Sequence, residues 1–154
     1  MKISAFAGKL SVLAISALLA CFALAACGGG SSSATANLKD GTYTAQSSVY
    51  EGDDQGGSGY GVITITVSDG KISQAEFLTY EPDGTLKDEN YGKTANNNQD
   101  FYNKAQKAVA ACKQYAADLV SKGSVDNVDV ISGATISYKE FQEAADAALA
   151  DASK

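Results

Sequence analysis

The chain has no histidine, no arginine and no tryptophan among its 154 residues, and its one methionine is Met1. These absences exclude histidine-ligated haem or zinc, a Ser-His-Asp triad and imidazole acid–base catalysis. Cysteine is nearly as scarce. Cys21 lies inside an N-terminal apolar run, Cys27 ends it, and only Cys112 falls in the rest of the chain. No CxxC pair, no intradomain disulfide and no four-cysteine iron–sulfur site can be built from that set. Cys112 reads as a small buried hydrophobe. Any redox chemistry must therefore come from an organic cofactor.

Positive charge is also in short supply. Two of the 12 lysines precede Cys27 and none of the 18 acidic residues does, so the charge beyond that point falls from −6 to about −8. Nucleic acid is excluded as a partner, because its affinity rests on basic residues. An acidic, solvated surface also keeps its distance from anionic lipid headgroups.

What is present begins with an export signal over residues 1–26. Lys2 and Lys9 precede an apolar stretch from Leu10 to Ala20, too short to span a bilayer dependably. Leu24-Ala25-Ala26-Cys27 then has the form of a lipobox, whose Cys27 is acylated and becomes the mature N-terminus. Residues 27–37, rich in Gly, Ser and Ala, read as a flexible tether with a root-mean-square reach of about 17 Å. Residues 38–154 have the length of one domain.

Within that domain Thr42–Ala45 reads as a first strand and Glu51–Gly59 as a mobile glycine-rich acidic loop without EF-hand spacing. Val62–Val67 is strongly β-branched, Asp69-Gly70 is a tight hairpin turn, and Ile72–Tyr80 is the returning strand. After a polar, turn-rich segment, Gln99–Lys122 carries one apolar stripe through Phe101, Ala105, Ala108, Cys112, Tyr115 and Leu119. That pattern predicts a long helix packed on the sheet and ended by Gly123. A late strand is expected at Val128–Ile131, and a last helix from Tyr138 to Ala150, opened by a capping box of Ser137 and Glu140. The fold class is α+β, with a mainly antiparallel sheet packed against the long helix and the C-terminal helix.

The most specific string is Asp129-Val130-Ile131-Ser132-Gly133-Ala134-Thr135, a turn of small residues leading into a helix. A phosphate ester on Thr135 would sit where helix N–H groups and the macrodipole favour an anion. The string resembles the acceptor sequence of the FMN-binding domain family, found in the C subunit of the sodium-pumping NADH:quinone oxidoreductase and the G subunit of Rnf complexes. Gly59-Tyr60-Gly61 and Asp69-Gly70-Lys71-Ile72 extend the resemblance, which covers most of Gly41 to Ala150. The chain departs from the respiratory members at Glu81-Pro82-Asp83-Gly84, where they carry a Glu-Thr-Pro-Gly-type loop. It looks closer to small lipid-anchored members.

The resemblance implies that a flavin transferase uses FAD to link FMN to Thr135 through a phosphoester. Gly133 and Ala134 would let transferase and phosphate approach the backbone, Ser132 and Asp129 would shape the turn, and Tyr60 and Tyr91 are candidates to stack on the ring. It further implies an extracytoplasmic electron carrier rather than a stand-alone catalyst, held to a membrane by its lipid. Electrons would pass from a membrane dehydrogenase or quinol to an extracytoplasmic acceptor. The alternative is a non-redox surface lipoprotein with a vestigial flavin turn. The anchor has its own test. Cys27→Ser is expected to abolish acylation and release the protein from membranes after a salt wash; retention as firm as wild type would mean a different anchor.

Overall fold

The structure, a computed structural model, describes residues 37–52, 57–93 and 98–154. The export signal, Cys27 and all of the tether except Asn37 lie outside the described residues, as does the middle of the Glu51–Gly59 loop. Among the described residues three strands form one antiparallel sheet in the order β1 (Gly41–Gln46), β2 (Tyr60–Ser68) and β3 (Lys71–Tyr80). Two helices, α1 (Gln99–Lys122) and α2 (Thr135–Ala152), cover one face of it. The α+β class expected from the sequence is the one observed.

Strand alternation builds the core. Ile63, Ile65 and Val67 of β2 are at most 2 % exposed, and Thr64 and Thr66 between them turn to the other face. Their branched side chains have few rotamers to lose on a pleated surface. Asp69 and Gly70 close the hairpin with φ of 54° and 70°, the two left-handed residues of a type I′ turn. A register shift between Thr66 and Val67 then lets Ile72 and Ala75, three residues apart on β3, both face inward.

Helix α1 runs over the expected residues because both ends are capped. Asn98 accepts from the Asp100 and Phe101 N–H groups at 3.1 Å, and the left-handed Gly123 donates its N–H to Leu119 at 2.8 Å. Its buried stripe is Ala105, Ala111, Cys112, Tyr115, Ala116 and Leu119. Helix α2 buries Ala144, Ala145, Ala148 and Ala152, small side chains that bring it close to β1 and β2. Between them Phe141 stacks on Tyr115, centroids 5.4 Å apart, and meets Phe77 edge-on at 5.5 Å.

Three expectations fail. Val128–Ile131 is not a strand: it follows a short 3-10 turn (Val125–Asn127) and pairs with no strand. Two of its backbone groups are taken by side chains, Val128 C=O by the Tyr138 hydroxyl at 2.7 Å and Ile131 N–H by the Tyr115 hydroxyl at 3.1 Å, while Val128 N–H and Ile131 C=O bond to the neighbouring turns. The capping box is also absent. Helix α2 starts at Thr135, two residues before Ser137, so Ser137 and Glu140 are inside the helix on its buried face. Phe101, placed by periodicity against the sheet, is 39 % exposed, because the first turns of α1 reach beyond the core.

Candidate functional site

The acceptor turn is held by one buried side chain. The Tyr115 hydroxyl, on a residue 0 % exposed, accepts from Ile131 N–H at 3.1 Å and donates to Ala134 C=O at 3.2 Å. Both ends of Ile131–Ala134 are thereby pinned to α1. Between them Gly133 sits at φ 86°, with no atom within 4 Å of where a Cβ would stand. Backbone conformation, rather than crowding, is what calls for glycine there. Ala134 is 3 % exposed and belongs to the core, and it also lines the cavity described below.

Thr135 follows as the first residue of α2, and it is exposed. The helix has no side-chain cap and no acidic residue in its first turn, unlike α1. Its leading N–H groups are therefore suited to an anion. Ser132 is exposed beside them, and Asp129 meets Lys122 at 3.0 Å in a pair too solvated to hold the turn by itself.

Thr135, Gly133 and Ile136 line a cavity of about 200 Å³. Phe101, Ala105, Ala108 and Val109 of α1 supply an apolar wall, and Tyr91 an aromatic one. The buried Thr79, Ser137, Lys87 and Glu140 close its inner end. Tyr91 is held by the segment that carries it: Gln106 donates to the Tyr91 and Asp88 carbonyls at 3.0 and 3.1 Å. Tyr60 does not line the cavity. It stacks on Tyr80 across the β2–β3 ladder, centroids 5.5 Å apart. Of the two candidate ring partners, only Tyr91 is brought to Thr135. The Glu81–Gly84 departure closes as a separate turn, with Asp83 accepting from Thr85 N–H at 2.9 Å, and does not line the cavity.

Charge at the inner end comes from two residues the sequence reading missed. Burial pushes the Glu140 carboxyl upward, with Lys87 pulling it back; burial pushes Lys87 downward, with Glu140 and Glu81 opposing. Lys87 Nζ lies 5.2 Å from the centroid of the Tyr91 ring. The glycines flanking Tyr60 make room for this arrangement. A Cβ on Gly59 would strike Lys87 Nζ and the Tyr80 carbonyl, and one on Gly61 would come within 2.6 Å of Phe77 and 3.1 Å of Glu140. A signal for Glu140 did exist. Ser137, Glu140, Phe141, Ala144 and Ala148 share one helical face, and a carboxylate on an apolar stripe is anomalous.

Residues 56–150 match the FMN-binding domain family, and the chain belongs to it. Among solved structures it is similar to the crystal structure of the CPE2226 protein from Clostridium perfringens. The two share 30% identity over 75% of this chain and 88% of that one, with a TM-score of 0.56. A Clostridium thermocellum protein solved by NMR is 27% identical over 76% and 94% of the chains, with a TM-score of 0.41. No curated protein matches. FMN is thus the cofactor of this chain's family, and the residues present fit it. A flat apolar wall suits the ring, an uncapped helix start suits the phosphate, and Glu140 Oε1 at the inner end is buried without a hydrogen-bond partner. The volume is below the roughly 300–1,000 Å³ of sites that enclose a whole ligand, so flavin held here keeps one side in solvent. Among the described residues no cluster of three His, Cys, Asp or Glu is placed to hold a metal.

Two outcomes follow from this geometry. Tyr115→Phe leaves Ile131 N–H and Ala134 C=O without their partner, and is expected to cost about 2 kcal/mol by urea unfolding. It should also lower the yield of flavin-loaded protein, because the turn loses its register. The second outcome concerns pH. The folded state keeps the Glu140 proton where the unfolded chain has released it, so its contribution is complete below the ordinary carboxylate range. That contribution is lost as pH climbs through the raised value. Lys87, Cys112 and Tyr91 are the titratable groups that interact with it, and Glu81 acts in turn on Lys87 and Tyr91. Flavin-free wild type should lose stability relative to Glu140→Gln as pH rises from about 4 to about 8; parallel profiles would contradict the burial of this carboxyl.

Proposed function

We propose that the protein is a membrane-anchored, extracytoplasmic electron carrier whose FMN is joined by a phosphoester to Thr135. One observation carries this reading: an exposed hydroxyl at the uncapped start of an 18-residue helix, beside a cavity with an apolar wall. In the attachment step Thr135 Oγ1 attacks the phosphorus on the FMN side of FAD. The phosphoanhydride bond breaks, AMP leaves with the bridging oxygen, and the hydroxyl proton is lost to base. A flavin transferase is the required partner, and an exposed, pinned turn is a surface it can reach.

Once attached, FMN supplies one- and two-electron redox chemistry through its ring. The chain's own residues bind and orient it. The first N–H groups of α2 would receive the phosphate, and Phe101, Ala105, Ala108 and Tyr91, which line the cavity, would flank the ring. The lipobox at Leu24-Ala25-Ala26-Cys27 supports the anchor, and the short tether that follows supports a working distance close to a membrane. A donor in that membrane, a dehydrogenase or quinol, and an extracytoplasmic acceptor complete the path. The absence of histidine and of cysteine clusters supports a carrier that depends on one organic group.

Mass spectrometry of denatured protein, coexpressed with an active transferase, tests the linkage. Wild type should carry the mass of FMN less one water on the peptide containing Thr135. Thr135→Ser keeps a hydroxyl and should retain some adduct, while Thr135→Ala should fold and be colourless. A wild type without adduct, or a labelled Thr135→Ala, would defeat the covalent reading and return the non-redox lipoprotein to the front.

A further inference from the structure

The cavity has a polar end that the attachment of FMN does not use. Glu140 is 4 % exposed, and its Oε1 has no hydrogen-bond partner. Buried carboxylate oxygens are nearly always bonded, and an orphan lowers stability unless something else satisfies it. Lys87, 8 % exposed, lines the same end and is in neither of the ion pairs found among the described residues, Lys122–Asp129 and Lys154–Asp151. A core that needed these two only for packing would hold apolar side chains, or would join them in an ion pair. Gly59 leaves room for the Lys87 ammonium beside the Tyr80 carbonyl, and Gly61 leaves room for the Phe77 ring and, less closely, for the stem of Glu140.

We propose that Glu140 and Lys87 form an acceptor and a donor that together bind the polar edge of the flavin ring. This rests on the cavity being the flavin site. The chemistry of the ring matches the pair. Its pyrimidine edge presents one N–H flanked by two carbonyls, and the rest of the ring is flat and largely apolar. Glu140 Oε1 accepts from that N–H, and the Lys87 ammonium donates to a neighbouring carbonyl. The apolar wall of α1 takes the remainder. Glu140 and Lys87 are thus specificity residues for a ring with an acceptor–donor–acceptor edge. Lys87 also places positive charge where it favours added electrons on the ring.

The full chain, coexpressed with the transferase and fed flavin labelled with 15N, tests this through the solvent exchange of the ring N–H. Exchange should be at least about tenfold slower in wild type than in Glu140→Leu, with Glu140→Gln between them, because its amide oxygen still accepts. Lys87→Met should lower the midpoint potential by about 30 mV, a tenfold change for a two-electron couple. An intact adduct on Thr135 with unchanged exchange and potential in every variant overturns the proposal and leaves the Thr135 reading standing. A wild type without adduct defeats the covalent reading alone. Titration of the flavin-free protein with free FMN then decides the pair: weaker affinity of Glu140→Leu by about tenfold supports it, and equal affinity overturns it. Should Glu140→Leu fail to fold, Glu140→Gln and Lys87→Met carry the same comparisons.

Discussion

The Tyr115 hydroxyl is the contact on which the candidate site depends. It bonds to the backbone on both sides of the Ser132-Gly133 turn, and so converts a segment with no strand partner into a defined projection from the core. The ring beneath that hydroxyl is packed between Tyr138 and Phe141, which fixes the distance from α1 to the start of α2. Tyr138 adds a bond to Val128 C=O, three residues upstream of the pinned portion. Three aromatic residues thus do what a fourth strand would have done for Val128–Ile131. The difference matters for function, because a strand would have hidden the turn in a sheet, whereas this arrangement leaves Thr135 in solvent.

The second constraint is the contrast between the two helices. Helix α1 is closed at its N-terminus by Asn98 and Asp100, and α2 has neither a capping side chain nor an early carboxylate. An uncapped helix start is unfavourable in isolation. At the edge of a cavity such a start is suited to an anion, and under the proposed attachment a phosphate would restore the stability forgone in the free protein. The same logic governs the buried end of the cavity, where a carboxyl and an ammonium are desolvated without being joined to each other. Local departures from optimal stability cluster around one volume, which marks it as the functional part of the fold.

Local pattern was enough for the elements. The β-branched run and Asp69-Gly70 specify the hairpin, and the period of the apolar residues with Asn98 and Gly123 specifies α1 to its ends, because these signals act between residues close in the chain. The string from Asp129 to Thr135, which carries the family likeness, was legible for the same reason. Long-range competition defeated the other readings. Ser137-x-x-Glu140 has the spacing of a capping box, but Tyr115 holds Ala134 as the N-cap residue, so the helix starts at Thr135 and both residues face inward. Val128–Ile131 has strand composition, but tyrosine hydroxyls from two helices take its backbone bonds. Tyr60 sits between glycines as a ring-binding residue would, yet Tyr80 is its cross-strand neighbour and occupies its face.

By itself the sequence determined the class of fold, the excluded chemistries, the absence of histidine-based catalysis and the likeness to the FMN-binding domain family. Each of these depends on residue identity or on spacing within one element. Only the tertiary structure decided which side chains share a cavity with Thr135. Lys87, Tyr91, Phe101 and Glu140 come from separate segments, and their meeting depends on how α1 and α2 lie on the sheet and on the room left by Gly59 and Gly61. A chain encodes that proximity through packing summed over the whole core, and no single stretch of it carries the information.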